Sequence, residues 1–304
     1  MQLVAYGAQD VFLTGTPEIT YWKVCYRRHT NFAMESIEQT FNGVANFGKR
    51  VTCTVARNGD LISKIYLQVT MPCVAPSDVA NGNTFEWVEE VGAALIKSVE
   101  IEIGGQQIDK HYQTWFRLYA ELYHDESKKF DYGRLTSLAV TDNRPASTTS
   151  VGKVYLPLMF FFNKNPGLYL PIIALQYHEV RLDFDLTAYY ASYFGTTNAF
   201  EVWANYIYLD TEERRRFAQK AHEYLIEQVQ HTGGDSITAT SQTVRLSFNH
   251  PVKELVWCYQ NSSPSTQLNA MWNFTTNHAN VNVTVDPTLL ASSNINCYEP
   301  QFLG

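Results

Sequence analysis

The residues in this chain that could do chemistry are few and poorly spaced for it. His178-Glu179 and His222-Glu223 each begin like the first half of a zinc-protease helix. Neither has the second histidine needed to put two ligands on one helix face. No His-x-His pair exists, which speaks against a metal-binding jelly roll of the cupin kind. The five cysteines (Cys25, Cys53, Cys73, Cys258, Cys297) include no CxxC pair, so they make neither a zinc motif nor a disulfide scaffold. No glycine-rich loop follows a strand to cradle a phosphate. Carboxylates are plentiful, but nothing in their spacing defines an acid/base pair. The expectation is a protein that is not an enzyme, with no catalytic residue, cofactor or metal.

Two clusters suit macromolecular contact instead. Arg214-Arg215-Arg216 could meet phosphate, but Glu212 and Glu213 lie beside them, and a solvated or ion-paired connector outweighs nucleic-acid binding. Near the N-terminus, Tyr21, Trp22, Tyr26, Arg27 and Arg28 combine aromatic rings with guanidinium groups, the residue types that anchor protein–protein interfaces. The plainer reading of that stretch is an edge strand or a frayed arm. These eight residues, Tyr21, Trp22, Tyr26, Arg27, Arg28, Arg214, Arg215 and Arg216, are the candidate assembly interface.

The elements that must position them are strands. The 304 residues suit one large or two medium domains, with 45% apolar residues, enough for a core. Aromatic residues reach 14%, which favours β structure and extensive interfaces. A net charge of -7 argues against a general nucleic-acid binder. Scattered thiols and the lack of a basic-then-apolar leader point to a reducing, cytosol-like compartment. The apolar run Val154–Phe162 is too short to span a bilayer. Three glycosylation sequons, at Asn261, Asn273 and Asn282, read as chance matches in an Asn/Thr-rich tail.

Alternation of period two marks the strands. Val51, Cys53 and Val55 alternate with Thr52 and Thr54 before a turn at Asn58-Gly59-Asp60. Ile65, Leu67 and Val69 oppose Lys64, Gln68 and Thr70; Val99, Ile101 and Ile103 oppose Ser98, Glu100 and Glu102. Val180, Leu182, Phe184 and Leu186 oppose Arg181, Asp183 and Asp185, and Phe200–Leu209 reads as buried on both faces. Strands with one apolar and one polar face predict an antiparallel sandwich. One segment breaks the rhythm: Trp115, Leu118, Tyr119 and Leu122 predict an amphipathic helix over 111–124. Residues 125–150 read as an exposed excursion, and Val154–Phe162 as a buried strand. In Asp210–Gln230 a helix start at Asp210, Thr211 and Glu213 gives way to β-type residues from Tyr224. Beyond it, Val244–Asn249, Glu254–Tyr259 and a weak alternation at Val281, Val283 and Val285 make three or four strands, too few to close a sandwich.

Four stretches carry a resemblance to a known family: Leu3–Asp10 continuing through Leu13–Thr20, Tyr26–Glu35, Asp210–Gln230, and Phe248–Trp257. In order and spacing the chain resembles the major capsid proteins of nucleocytoplasmic large DNA viruses, the double jelly-roll family. The resemblance implies an all-β fold of tandem antiparallel jelly-roll β-sandwiches, the first complete and the second partial, with short helices in loops. It implies an N-terminal arm over 1–34, a first jelly roll over 35–210, a connector over 211–221, and a partial second jelly roll over 222–304. Family members run longer, so the second roll is expected to be incomplete here.

The function it implies is structural: trimers form pseudo-hexameric capsomers that tile an icosahedral shell in the virion, assembled in the host cytoplasm. Implied partners are copies of the same chain, neighbouring capsomers, minor capsid proteins and the inner viral membrane, with no specific nucleic acid. Two other readings stay open. One is a minor or internal capsid component; the other is a carbohydrate-binding jelly roll using loop Tyr and Trp residues.

Overall fold

Alternating side chains give each strand an apolar face, and burying those faces against one another decides the architecture. The computed structural model describes residues 7–8, 15, 28–71, 90–136, 152–188, 200–233, 245–258, 260–261 and 297–298. Among the described residues, ten strands precede the connector: β1 Phe32–Gln39, β2 Phe41–Asn42, β3 Arg50–Thr54, β4 Leu61–Met71, β5 Ile96–Ile103, β6 Gln106–Tyr112, β7 Gly152–Pro157, β8 Leu170–Pro171, β9 Val180–Leu186 and β10 Phe200–Leu209. They form two five-stranded antiparallel sheets, ordered β1-β10-β4-β7, with β8 also on β4, and β2-β3-β9-β5-β6.

The chain passes repeatedly from one sheet to the other, and its first long strand pairs with its last. Its eight principal strands in this order make a jelly roll. The core lies between the sheets. Cys53, Val99, Ile101, Leu182 and Phe184 of the second sheet face Ile65, Leu67, Val69, Val202 and Tyr206 of the first in one buried cluster. Edge-to-face ring pairs, Phe41 with Phe184 and Phe47 with Phe200, fill its sides.

Several elements differ from what the sequence pattern predicts. The helix α2, Gln113–Tyr123, begins two residues later than the pattern, because His111 and Tyr112 finish β6. (The short helix α1 is Val91–Ala94.) The buried stripe of α2 is Trp115, Phe116 and Ala120, whereas Leu122 is 52% exposed. The excursion from 125 contains a second helix, α3 Glu126–Thr136, seated by buried Tyr132 and Thr136. The strand from Val154 ends at Pro157. The Leu158 N–H adds one more bond to β4, at the Ile65 carbonyl (2.9 Å); Met159 and Phe160 stay buried off the strand, and a helical turn, α4 Phe161–Lys164, follows. Asn163 makes that break possible: its Oδ1 accepts the Phe160 N–H at 3.1 Å and its Nδ2 donates to the Ser63 carbonyl at 2.9 Å.

The polar strand faces are not all wet. Gln68, Glu100 and Asp183 are buried with polar or charged partners on other strands, as when Gln68 Nε2 donates to Glu201 Oε2 at 2.6 Å. β10 alternates rather than being buried on both faces, with Glu201, Trp203 and Asn205 half-exposed. The turn at Asn58-Gly59-Asp60 is a crossing between sheets, not a hairpin. Past the connector, Arg245–Cys258 carries no ladder beyond an isolated bridge at Val256. One short antiparallel pair follows, β11 Gln260–Asn261 with β12 Cys297–Tyr298.

The sheet crossing depends on a close approach. A Cβ on Gly59 would sit 2.9 Å from the Tyr206 Cβ. Tyr206 is fully buried and cannot retreat, since its hydroxyl donates to the Ala56 carbonyl at 2.5 Å. Gly59→Ala should therefore cost about 1–3 kcal/mol, the usual penalty for overpacking. Urea unfolding checks this, and an unchanged midpoint would contradict the packing described.

Candidate functional site

The antiparallel register of β1 and β10 sets Phe32 opposite Leu209. The chain therefore enters and leaves the first jelly roll at one corner. From Asp210 it turns into α5, Thr211–Gln219, whose first hydrogen bond runs from the Arg214 N–H to the Asp210 carbonyl at 2.9 Å. The Asp210 carboxylate makes no capping bond. Glu212 and Glu213 supply negative charge to the first turn instead.

Asp60 ties this corner together. Its N–H donates to the Ile207 carbonyl and its own carbonyl accepts from Ile173. Its buried carboxylate accepts the Leu209 N–H at 2.8 Å through Oδ2 and lies 3.0 Å from Arg214 Nε through Oδ1. Strand β10, the sheet crossing and the connector helix thus share one side chain.

After α5, residues 221–230 run extended. The sequence pattern predicts a strand here from Tyr224, but among the described residues the segment has no ladder partner. It lies along the first jelly roll instead. Tyr224 Oη donates to the Tyr169 carbonyl at 3.3 Å, Gln228 Nε2 to the Ile108 carbonyl at 2.7 Å, and the Val229 N–H to Asp109 Oδ1 at 3.1 Å. Asp109 is itself fixed, its Oδ2 lying 2.9 Å from His111 Nε2 in a pair that is almost wholly buried. His111 in turn stacks on Phe160 with ring centroids 4.6 Å apart. Glu227 draws two ammonium groups, Lys164 at 3.4 Å and Lys253 at contact distance. The hydrogen bond from Lys253 and the charge of Lys164 hold the Glu227 carboxyl below its usual range, against a smaller opposing effect of burial. A polar cleft of about 530 Å³, lined by Lys110, Tyr112, Gln228, Gln230, His231 and Arg245 among others, opens along this seam.

Of the eight candidate interface residues, Arg214 has an intramolecular partner in Asp60, while Arg215 and Arg216 are exposed on α5. Arg28 is exposed just before β1, so the register brings it to the same end of the sheet as α5. Tyr21, Trp22, Tyr26 and Arg27 lie outside the described residues. Sequence reading missed the roles of Asp60 and of the Glu227 pair. Asp60 follows Asn58-Gly59 and looks like any turn residue, and no local spacing reports a partner 149 positions away. Among the described residues no group of three His, Cys, Asp or Glu side chains could hold a metal ion.

Comparison with known proteins agrees with this architecture. A family model described as the major capsid protein N-terminus matches residues 20–210, a range that includes all ten strands of the first jelly roll. A second, for large eukaryotic DNA virus major capsid proteins, matches residues 213–296. This chain belongs to the major capsid proteins of large eukaryotic DNA viruses.

It is 52% identical over 266 residues to the major capsid protein of Pyramimonas orientalis virus, covering 84% of this chain and 64% of the relative. It is 46% identical over 300 residues to that of Phaeocystis pouchetii virus, covering 86% and 58%. Among solved structures, a quasi-atomic model of the PBCV-1 virus capsid matches with a TM-score of 0.67 at 42% identity, over 80% of this chain and 59% of that one. The Faustovirus major capsid protein matches in fold, with a TM-score of 0.63 at 12% identity, over 88% and 69%. The fold is thus that of the double jelly-roll capsid proteins. The chain spans about three fifths of the length of the curated relatives it matches.

Two expected outcomes follow from the corner and the seam of this capsid protein. Asp60→Ala removes the buried carboxylate that accepts the Leu209 N–H and should cost about 1–3 kcal/mol. Arg214→Ala removes a mostly exposed partner and should cost under about 1 kcal/mol. Chemical denaturation of the pair checks the order, and a larger loss for Arg214→Ala would contradict it. Glu227, depressed in the folded state, contributes to docking of 221–230 above the ordinary glutamate pKa of about 4.3, and that contribution fades as pH falls through the lower folded value. Protection of the Val229 amide in hydrogen exchange, corrected for intrinsic rate, should fall further on acidification in the parent than in Glu227→Gln, and equal losses would contradict the assignment.

Proposed function

We propose that this chain is a structural capsid subunit that works by assembly rather than catalysis. In this reading three copies form a pseudo-hexameric capsomer, and capsomers tile an icosahedral shell in the virion, put together in the host cytoplasm. The observation that carries it is a complete first jelly roll, 52% identical across the matched region to a protein named as a major capsid protein, with its own continuation fastened along one side. Two similar barrels per chain and three chains per ring would present six nearly equivalent sides.

The domain division of the proposal runs as an arm over 1–34, a first jelly roll over 35–210, a connector over 211–221, and a second, partial roll from 222. It is supported by the start of β1 at Phe32, by the helix Thr211–Gln219, and by the two family models meeting between 210 and 213. Tyr21, Trp22, Tyr26, Arg27 and Arg28 on the arm, with Arg215 and Arg216 on the exposed side of α5, are proposed as contacts to other copies, minor capsid proteins or the inner viral membrane. The exposed Arg215 and Arg216 guanidinium groups, which have no ion-pair partner among the described residues, support that role for α5.

Size-exclusion chromatography with light scattering on the full-length protein tests the first step. Trimers at micromolar concentration are expected. A monomer at every concentration would remove the capsomer reading.

A further inference from the structure

The first jelly roll has two lateral sides, and the chain occupies one of them itself. On that side the sheets end in β6 and β7, and the segment after the connector bonds to Ile108 and Asp109 of β6. On the other side the sheets end in β1 and β2. Among the described residues β1 pairs with β10 alone, so one row of its backbone groups faces outward without a ladder partner.

The outer face of β1 is apolar at the end nearest the arm, at Phe32 and Met34, and polar beyond, at Ser36 and Glu38. The register sets Ile37 opposite Ala204 and Gln39 opposite Val202, both buried, so these residues point toward the core. Phe32 and Met34 alternate to the outer face, where they stand 64% and 58% exposed beside Leu209 and Ile207. Soluble proteins blunt such an edge with lysine, proline or a bulge. β1 reads FAMESIEQ, with neither residue and no register break against β10.

We propose that the open β1 edge, with Phe32 and Met34 at its outer face, is the surface on which a second copy of this chain docks. The proposal rests on the trimeric capsomer reading and assigns a place to its contact. In a ring of two barrels per chain, each barrel needs two lateral neighbours. The first barrel meets its own chain at β6, which leaves the β1 side for the next copy. The contact is heterologous, because a threefold ring joins unlike surfaces of successive copies. Unpaired edge groups supply direction, and the two apolar side chains supply area that water loses on docking.

The test uses the full-length protein and two double variants, Phe32→Lys/Met34→Lys and Phe32→Ser/Met34→Ser, followed by mass photometry and thermal melting. Both side chains are exposed in the single chain, so the melting midpoint of the isolated subunit should hold. The lysine variant should lower the trimer population at least about tenfold at equal concentration, and the serine variant should lower it by less. If the lysine variant gives no melting transition, the serine variant decides alone. A parent that trimerises alongside folded variants that trimerise equally well overturns the edge assignment and leaves the capsomer reading standing. A parent that is monomeric throughout overturns both.

Discussion

Everything in the first jelly roll depends on one ladder, the pairing of β1 with β10. It joins Phe32–Gln39 to Val202–Leu209 across nearly the whole length of the domain. Closing so long a loop is costly, but the cost rises only logarithmically with length. The return is that all intervening strands are held between the two ends, and contacts this distant in sequence characterise slow-folding β topologies. The ladder also brings the incoming arm and the outgoing connector to one corner. Asp60 then bonds to both the end of β10 and the first turns of α5, so the geometry of that corner reaches the start of the second half.

Electrostatics divides the surfaces of this domain into closed and open ones. On the outer face of the second sheet, Arg50, Lys97, Lys110 and Arg181 answer Glu100, Glu102, Asp183 and Asp185 across neighbouring strands. Burial opposes the charge on Asp183, yet hydrogen bonds from Thr52 and Arg50 and the positive charge of Arg181 outweigh it, and its pKa lies below the ordinary value. The same Asp183 bond is the main reason the Arg50 pKa is raised. Pairs with such exposed cations add little stability. Their effect is to balance the charge across that face. The β1 edge has no comparable network.

The strands were legible because alternation is a local property. Val51, Cys53 and Val55, or Val180 to Leu186, need no knowledge of their neighbours to declare a buried face. The corner and the seam were not legible, because their residues act at a distance. Nothing near Asp60 announces Arg214, and nothing near Tyr224–Gln230 announces that the segment will bond to β6 through Gln228 and the Val229 N–H rather than join a ladder. The Asn163 amide is a similar case. One buried side chain that bonds both Phe160 and Ser63 turns an apolar run with strand composition into a helical turn. The α2 stripe failed for a different reason: Leu122 fits the helical period, but the helix sits at the surface and its last turn extends past the core.

Two sets of apolar side chains remain in water, and they differ in kind. Leu225, Ile226, Val252 and Trp257 are exposed to 90, 43, 52 and 51% on a segment without ladder pairing. Among the described residues their stretches are held to the first jelly roll by a few hydrogen bonds and ion pairs rather than by a ladder. Phe32 and Met34 stand on a strand whose eight residues are all in register with β10, and their spacing is dictated by the pleat. Apolar area becomes a recognition surface only when its geometry is fixed before the partner arrives, since ordering it on contact consumes the gain. By that criterion the first barrel is preorganised at its open side by the β1–β10 register.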